Sequence, residues 1–183
     1  MPWKNGGGRT AEIAAWSRER GAEPFAGRVS IAEIERDGPF SAFPGVDRTF
    51  VLLDGAGVVL TQGGVDVEVV ARHEPLRFAG DEASSCRLVG GPVRAFNLMV
   101  RRGRAQGGVV VADGEATIAG PFRFGLCYAA EGASECLLPG RAPIAVAEGN
   151  ALLIDGEERT VSMHVNPIDA GAVAIVAALD APD

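Results

Sequence analysis

Hydrophobic and polar positions in this chain alternate in short runs, separated by glycine, aspartate and proline. RVSIAEI (28–34), RTFVLLDG (48–55), VDVEVV (65–70), RAFNLMV (94–100), GVVVADG (108–114), PIAVAEG (143–149), NALLIDG (150–156), RTVSMHV (159–165) and GAVAIVAAL (171–179) all read as strands. Runs of this length, punctuated at short spacing by turn residues, predict an all-β barrel or sandwich. The last run is alanine-rich, but its valines and isoleucine favour a strand. TAEIAAWSRERG (10–21) reads as a strand through Ile13, with a short helix ended by Gly21 as the alternative. No other segment carries a convincing helical period.

The pattern recurs. ARHEPLRFAGDE (71–82) lies on AEGNALLIDGEE (147–158) at one constant offset, with Leu76 on Leu152, Phe78 on Ile154, Gly80 on Gly156, Asp81 on Glu157 and Glu82 on Glu158. At the same offset FNLMV (96–100) falls on AVAIV (172–176), and FVLLDGAG (50–57) matches LCYAAEGA (126–133) within a residue. Two related halves follow, each a small antiparallel barrel. Charge and glycine interrupt the apolar runs at RRGRAQGG (101–108), so the expected division is 1–104 and 105–183. Each half resembles a cupin, a jelly-roll barrel whose turns carry glycine where φ is positive. The expected fold is all-β: a double cupin (bicupin) of two small antiparallel jelly-roll-like barrels.

Metal-binding cupins gather several imidazoles and a carboxylate on one ion. Here His73 and His164 stand alone in different halves, and under the repeat neither matches another histidine. No metal site and no other cofactor is expected.

The 183 residues suffice for a substantial core. A formal charge of −7 and a pI near 4.9 argue against nucleic acid and anionic membranes as partners. No run approaches a membrane span, and no basic-then-apolar leader opens the sequence, so a cytoplasmic protein is expected. Cys86, Cys127 and Cys136 form no CxxC and fit reduced, buried thiols.

Three stretches carry candidate chemistry. MPWKNGGGRT (1–10) sets Trp3, Lys4 and Asn5 against three glycines. It is not a phosphate loop of the G-x-x-x-x-G-K-[ST] type, because Arg9 follows the glycines and Lys4 precedes them. Bare glycine amides flanked by Lys4 and Arg9 suit an anion, and a solvated end is the alternative. In VSIAEIERDGPFSAFPGVDRTF (29–50), DGPFSAFPG reads as an ordered loop. Arg48 then shares a strand face with Phe50 and Leu52, so it either pairs with Asp37 or Asp47 or meets a ligand. In FNLMVRRG (96–103), Asn97 shares a face with Met99 and Arg101, opposite Phe96, Leu98 and Val100. An inward Asn97 needs a partner, either backbone or a ligand. Arg101 and Arg102 read as a solvated strand end.

Together PWKNGGGRTAEIA (2–14), RVSIAEIERDGPFSAFPGVDRTFVLLDGAG (28–57) and FNLMVRRG (96–103) resemble the HutD/Ves family, small double-cupin proteins associated with bacterial histidine utilisation. The later half matches only in its β character. The resemblance implies a metal-free bicupin with a pocket for a small carboxylate such as formylglutamate or urocanate, and a role tuning that pathway. It implies an ordered opening segment over the barrel mouth. Trp3 would form a wall, Lys4 would supply charge, and Asn5, Gly6 and the other glycine amides would supply hydrogen bonds. Thr10, Glu12, Ser30, Arg48 and Asn97 would be the neighbouring pocket residues. Glu12 and Glu33 suit an anion site only if Lys4 or Arg48 pairs with them, or if they accept a ligand amide. A metal-independent cupin enzyme, with Lys4 or Glu12 as acid or base, is the alternative. A partner-binding scaffold is a third reading, and a homodimer is compatible with each.

Overall fold

The computed structural model describes residues 1–3, 6–17 and 25–181, apart from the side chains of 156–158. All regular structure among them is β-strand. Two compact units divide the chain, Met1–Arg102 and Gly103–Asp183.

The first unit holds β1 (Gly8–Trp16), β2 (Gly27–Ile34), β3 (Gly38–Phe40), β4 (Val46–Asp54), β5 (Val58–Gln62), β6 (Val65–Val69), β7 (Pro75–Ala79), β8 (Ser84–Leu88) and β9 (Val93–Arg101). They form two antiparallel sheets, ordered β1-β2-β9-β4-β7 and β3-β8-β5-β6. Strand alternation sends one face of β2, β4 and β9 inward. Ile34, Phe50, Leu52 and Val93 from these strands join Val58, Leu60 and Phe40 of the smaller sheet in one core. The opposite face is buried as well, through Val29, Val51, Phe96 and Leu98. Between β5 and β6 the loop is two residues, Gly63 and Gly64, both at positive φ. That conformation matches the twist of the paired strands, and glycine enters it without strain.

The second unit holds β10 (Gln106–Ala112), β11 (Ala116–Glu131), β12 (Ser134–Leu137), β13 (Ile144–Val146), β14 (Ala151–Pro167) and β15 (Val173–Asp180), in one sheet ordered β10-β15-β11-β14-β12-β13. Its core is apolar, with Ile118, Phe122, Met163, Val165 and Val176 among its members.

The two units repeat one pairing scheme. Phe50 lies opposite Leu76 and Asn97, and Cys127 lies opposite Leu152 and Val176. Arg48 lies opposite Phe78 and Met99, and Gly125 lies opposite Ile154 and Ala178. Pairing therefore matches Leu76 with Leu152 and Phe78 with Ile154, as the sequence offset does. It corrects the match of β9: Phe96 corresponds to Ile175, not to Ala172. One difference is continuity. NALLIDG and RTVSMHV, expected as two strands, run as the single strand β14. At the start of the chain, β1 runs on past Ile13 to Trp16, and Gly21 lies outside the described residues.

Candidate functional site

Cross-strand register builds the site in rows. Ser30, Asn97 and Phe50 lie side by side on β2, β9 and β4, and Arg28, Met99 and Arg48 form the next row along. The rows share a face with Ala32, Ala95 and Leu52 of the core. Where the apolar rows end, these polar ones line a cavity of about 660 Å³. Trp3, Thr10, Phe40 and Phe43 complete much of its wall.

Arg48 is 6% exposed. Its guanidinium carbon stands 5.2 Å from the ring centre of Phe40, 5.8 Å from Phe43 and 5.0 Å from Phe78. These faces attract a cation. Neither expected acid reaches it: Asp37 accepts the Leu88 N–H at 2.8 Å, and Asp47 pairs with Arg102. Among the described residues no carboxylate pairs with Arg48, and its Nε has no hydrogen-bond partner. Burial draws its pKa down to about 10, so the side chain is still a cation at neutral pH. Asn97 is also buried, and its Oδ1 is unpartnered. Both residues line the cavity, although these two unpartnered atoms are themselves closed off from solvent.

The opening segment folds back along β1. Pro2 bridges Arg9, the Thr10 N–H donates to the Met1 carbonyl at 2.8 Å, and the Trp3 N–H donates to the Gly8 carbonyl at 2.8 Å. Trp3 Nε1 donates to Thr10 Oγ1 at 2.7 Å. Its ring meets Phe40 edge-on, 5.9 Å between centroids. Met1, Pro2 and Trp3 thereby line the cavity. On its other side Gly8 lets β1 approach β2 closely, since a Cβ there would stand 2.2 Å from the Glu33 carbonyl oxygen.

The structure thus gathers Trp3, Thr10, Ser30, Arg48 and Asn97 around one space. It places two expected site residues elsewhere. Gly6 turns at positive φ and spends its N–H on the Trp3 carbonyl at 3.0 Å, so it is no anion donor in this arrangement. Glu12 lies outside the cavity lining, with Oε2 2.7 Å from Arg28 Nε. Glu33 takes Arg9 at 2.5 Å. Among the described residues the acids therefore meet Arg28 and Arg9, not Arg48. Lys4 and Asn5 lie outside the described residues. Sequence reasoning missed Arg28, although its alternation with Ser30 on β2 puts both on one face. It also missed the aromatic cage, which Phe40, Phe43 and Phe78 bring from separate segments. Arg102, expected at a solvated end, bridges Asp47 and Asp81.

Among the described residues the second unit has no such polar rows. Pairing places Gly125 where the first has Arg48, Val176 where it has Asn97, and Val110 where it has Ser30. Among the described residues no three or more His, Cys, Asp or Glu cluster as a metal set. His73 sits in a loop at positive φ, and His164 Nδ1 lies 2.8 Å from Thr117 Oγ1 on the surface. All three cysteines are buried thiols. Burial pushes Cys86 up to about 12, and a hydrogen bond with Cys136, then burial, pushes Cys127 up. No helix among the described residues is long and apolar enough to cross a membrane.

Fold and site define an all-β, cupin-like protein with a cation buried in an aromatic-walled cavity. The cupin 2 conserved barrel domain protein of Leptotrichia buccalis shares the fold at 10% identity, with a TM-score of 0.58 over 96% of this chain and 89% of that one. The chain belongs to the HutD family, whose model matches residues 1–173. It is 40% identical over 132 residues to protein Ves of Cronobacter sakazakii, covering 72% of this chain and 71% of the relative. It is 33% identical over 165 residues to a 21.2 kDa protein of the hutC 3′ region of Pseudomonas putida, covering 90% and 86%. HutD of Pseudomonas fluorescens SBW25, solved in a formate condition, superposes with a TM-score of 0.83 at 32% identity, over 100% of this chain and 94% of that one.

Proposed function

We propose that the chain is a double cupin whose first half binds a small carboxylate without a metal, and that holding this ligand tunes histidine utilisation. Formylglutamate and urocanate are the candidate ligands. The observation that carries the reading is Arg48, a buried cation that faces a cavity with no carboxylate partner among the described residues. Burying a charge in this way is unfavourable unless something compensates it, and a bound carboxylate does so through charge-assisted hydrogen bonds. The relative in the hutC 3′ region supports the pathway. The repeated pairing scheme supports the two cupin halves, and the apolar counterparts of Arg48 and Asn97 favour the first as the binding half.

Acid–base turnover by Glu12 is the weaker reading, because its carboxylate is held by Arg28 outside the cavity lining. Calorimetric titration with formylglutamate, urocanate and histidine tests the binding reading. At least one should bind, and Arg48→Gln should weaken it by at least about tenfold, as for a truncated buried charge contact. No heat from any of them at millimolar concentration would count against it.

A further inference from the structure

We infer that Arg28 is a second anion subsite of this cavity, so that the preferred ligand carries two carboxylates. The inference rests on the carboxylate reading above and adds the ligand's second end. Arg28 and Arg48 occupy the same cross-strand row, with Met99 of β9 between them. Two strand spacings put their backbones about 10 Å apart. The side chains are drawn in opposite directions: Arg48 toward Phe78 of β7, and Arg28 toward Glu12 of β1. In the next row Ser30 lines the cavity beside Arg28 on β2, and Asn97 lines it on β9, between the strands of the two cations. The chemistry that fits is a short chain with an acid at each end and a polar middle.

Glu12 holds Arg28 weakly. The Glu12 side chain is 42% exposed and that of Arg28 20%. Although 2.7 Å apart, Nε and Oε2 lack hydrogen-bond alignment. At this half-buried position a misaligned pair recovers little of what desolvating Arg28 costs. A ligand already anchored on Arg48 presents its second carboxylate at high effective concentration. Glu12 can then turn out to water, and Arg28 exchanges one carboxylate for another.

Calorimetry on the full chain with glutarate and its half-amide, glutaramate, tests this. The two have the same length, and only one ends in a second charge. Glutarate should bind at least about tenfold tighter. In Arg28→Gln the ratio should fall to near one. In Glu12→Gln, which removes the competing carboxylate, glutarate should gain several-fold. Equal affinity of the two ligands in the native chain, or a ratio that survives Arg28→Gln, would overturn the second subsite alone. If neither ligand binds, the carboxylate reading falls with it. Should Arg28→Gln fail to fold, Glu12→Gln decides: no gain for glutarate overturns the inference.

Discussion

Arg48 shows what one residue can reveal. Its alternation with Phe50 and Leu52 put it on a face with apolar residues from sequence alone. Its lack of a counter-ion was not legible, because Asp37 and Asp47 are near in sequence but engaged elsewhere. Its aromatic neighbours Phe40, Phe43 and Phe78 converge only on folding. A lone buried charge opposes stability. Arg48→Met should therefore raise the unfolding free energy by about 1 kcal/mol or more, measured by urea titration, while abolishing carboxylate binding. A lower urea midpoint would mean that Arg48 has a structural role instead. The pH dependence has a definite sign. Burial lowers the Arg48 pKa to about 10, and a bound anion favours its charged form. Carboxylate affinity should stay level through neutral pH and fall above about 10, with proton uptake on binding there.

At the scale of elements, the break between β3 and β4 makes the site. In the second unit the corresponding path is one uninterrupted strand, β11. In the first, residues 41–45 leave the sheet, and Phe43 and Ser41 turn onto the cavity. The Phe43 N–H donates to the Gly80 carbonyl at 2.6 Å and holds the loop in place. The prolines, glycines and phenylalanines of DGPFSAFPG made an ordered loop legible, but its task depends on which strand face it covers. The seam between β1 and β2 is equally specific. Gly8→Ala places a methyl group 2.2 Å from the Glu33 carbonyl oxygen, which is backbone and cannot yield easily. We expect a loss of about 2 kcal/mol or more in urea unfolding. Trp3 emission should shift to the red as the opening segment loosens, read in a Trp16→Phe background. Unchanged stability would show that β1 can slide without consequence.

For the whole molecule, the cysteines test how well the two cores exclude solvent. Cys86 belongs to the first core, and Cys127 and Cys136 to the second. Only the thiolate reacts: burial raises the Cys86 thiol, a hydrogen bond and then burial raise Cys127, and Cys136, although lowered by that same bond, is fully enclosed. All three should resist Ellman's reagent in the native protein and react fully in guanidinium. Rapid native labelling of Cys127 or Cys136 but not Cys86 would show the second unit opening by itself. The repeat was legible where turn glycines and apolar residues recur together, as from Leu76 to Gly80. It slipped on β9, because a run of apolar residues with few turn markers fits several offsets equally well, and only hydrogen-bond register chooses among them. The amino-acid sequence by itself determined the all-β class, which residues share a strand face, and the family, since these follow from period-two alternation, turn chemistry and long local motifs. Tertiary structure alone decided that Arg48 meets no carboxylate among the described residues, that Arg28 shares its row and that Glu12 belongs to Arg28, because charge compensation depends on distances between strands that the chain order does not contain.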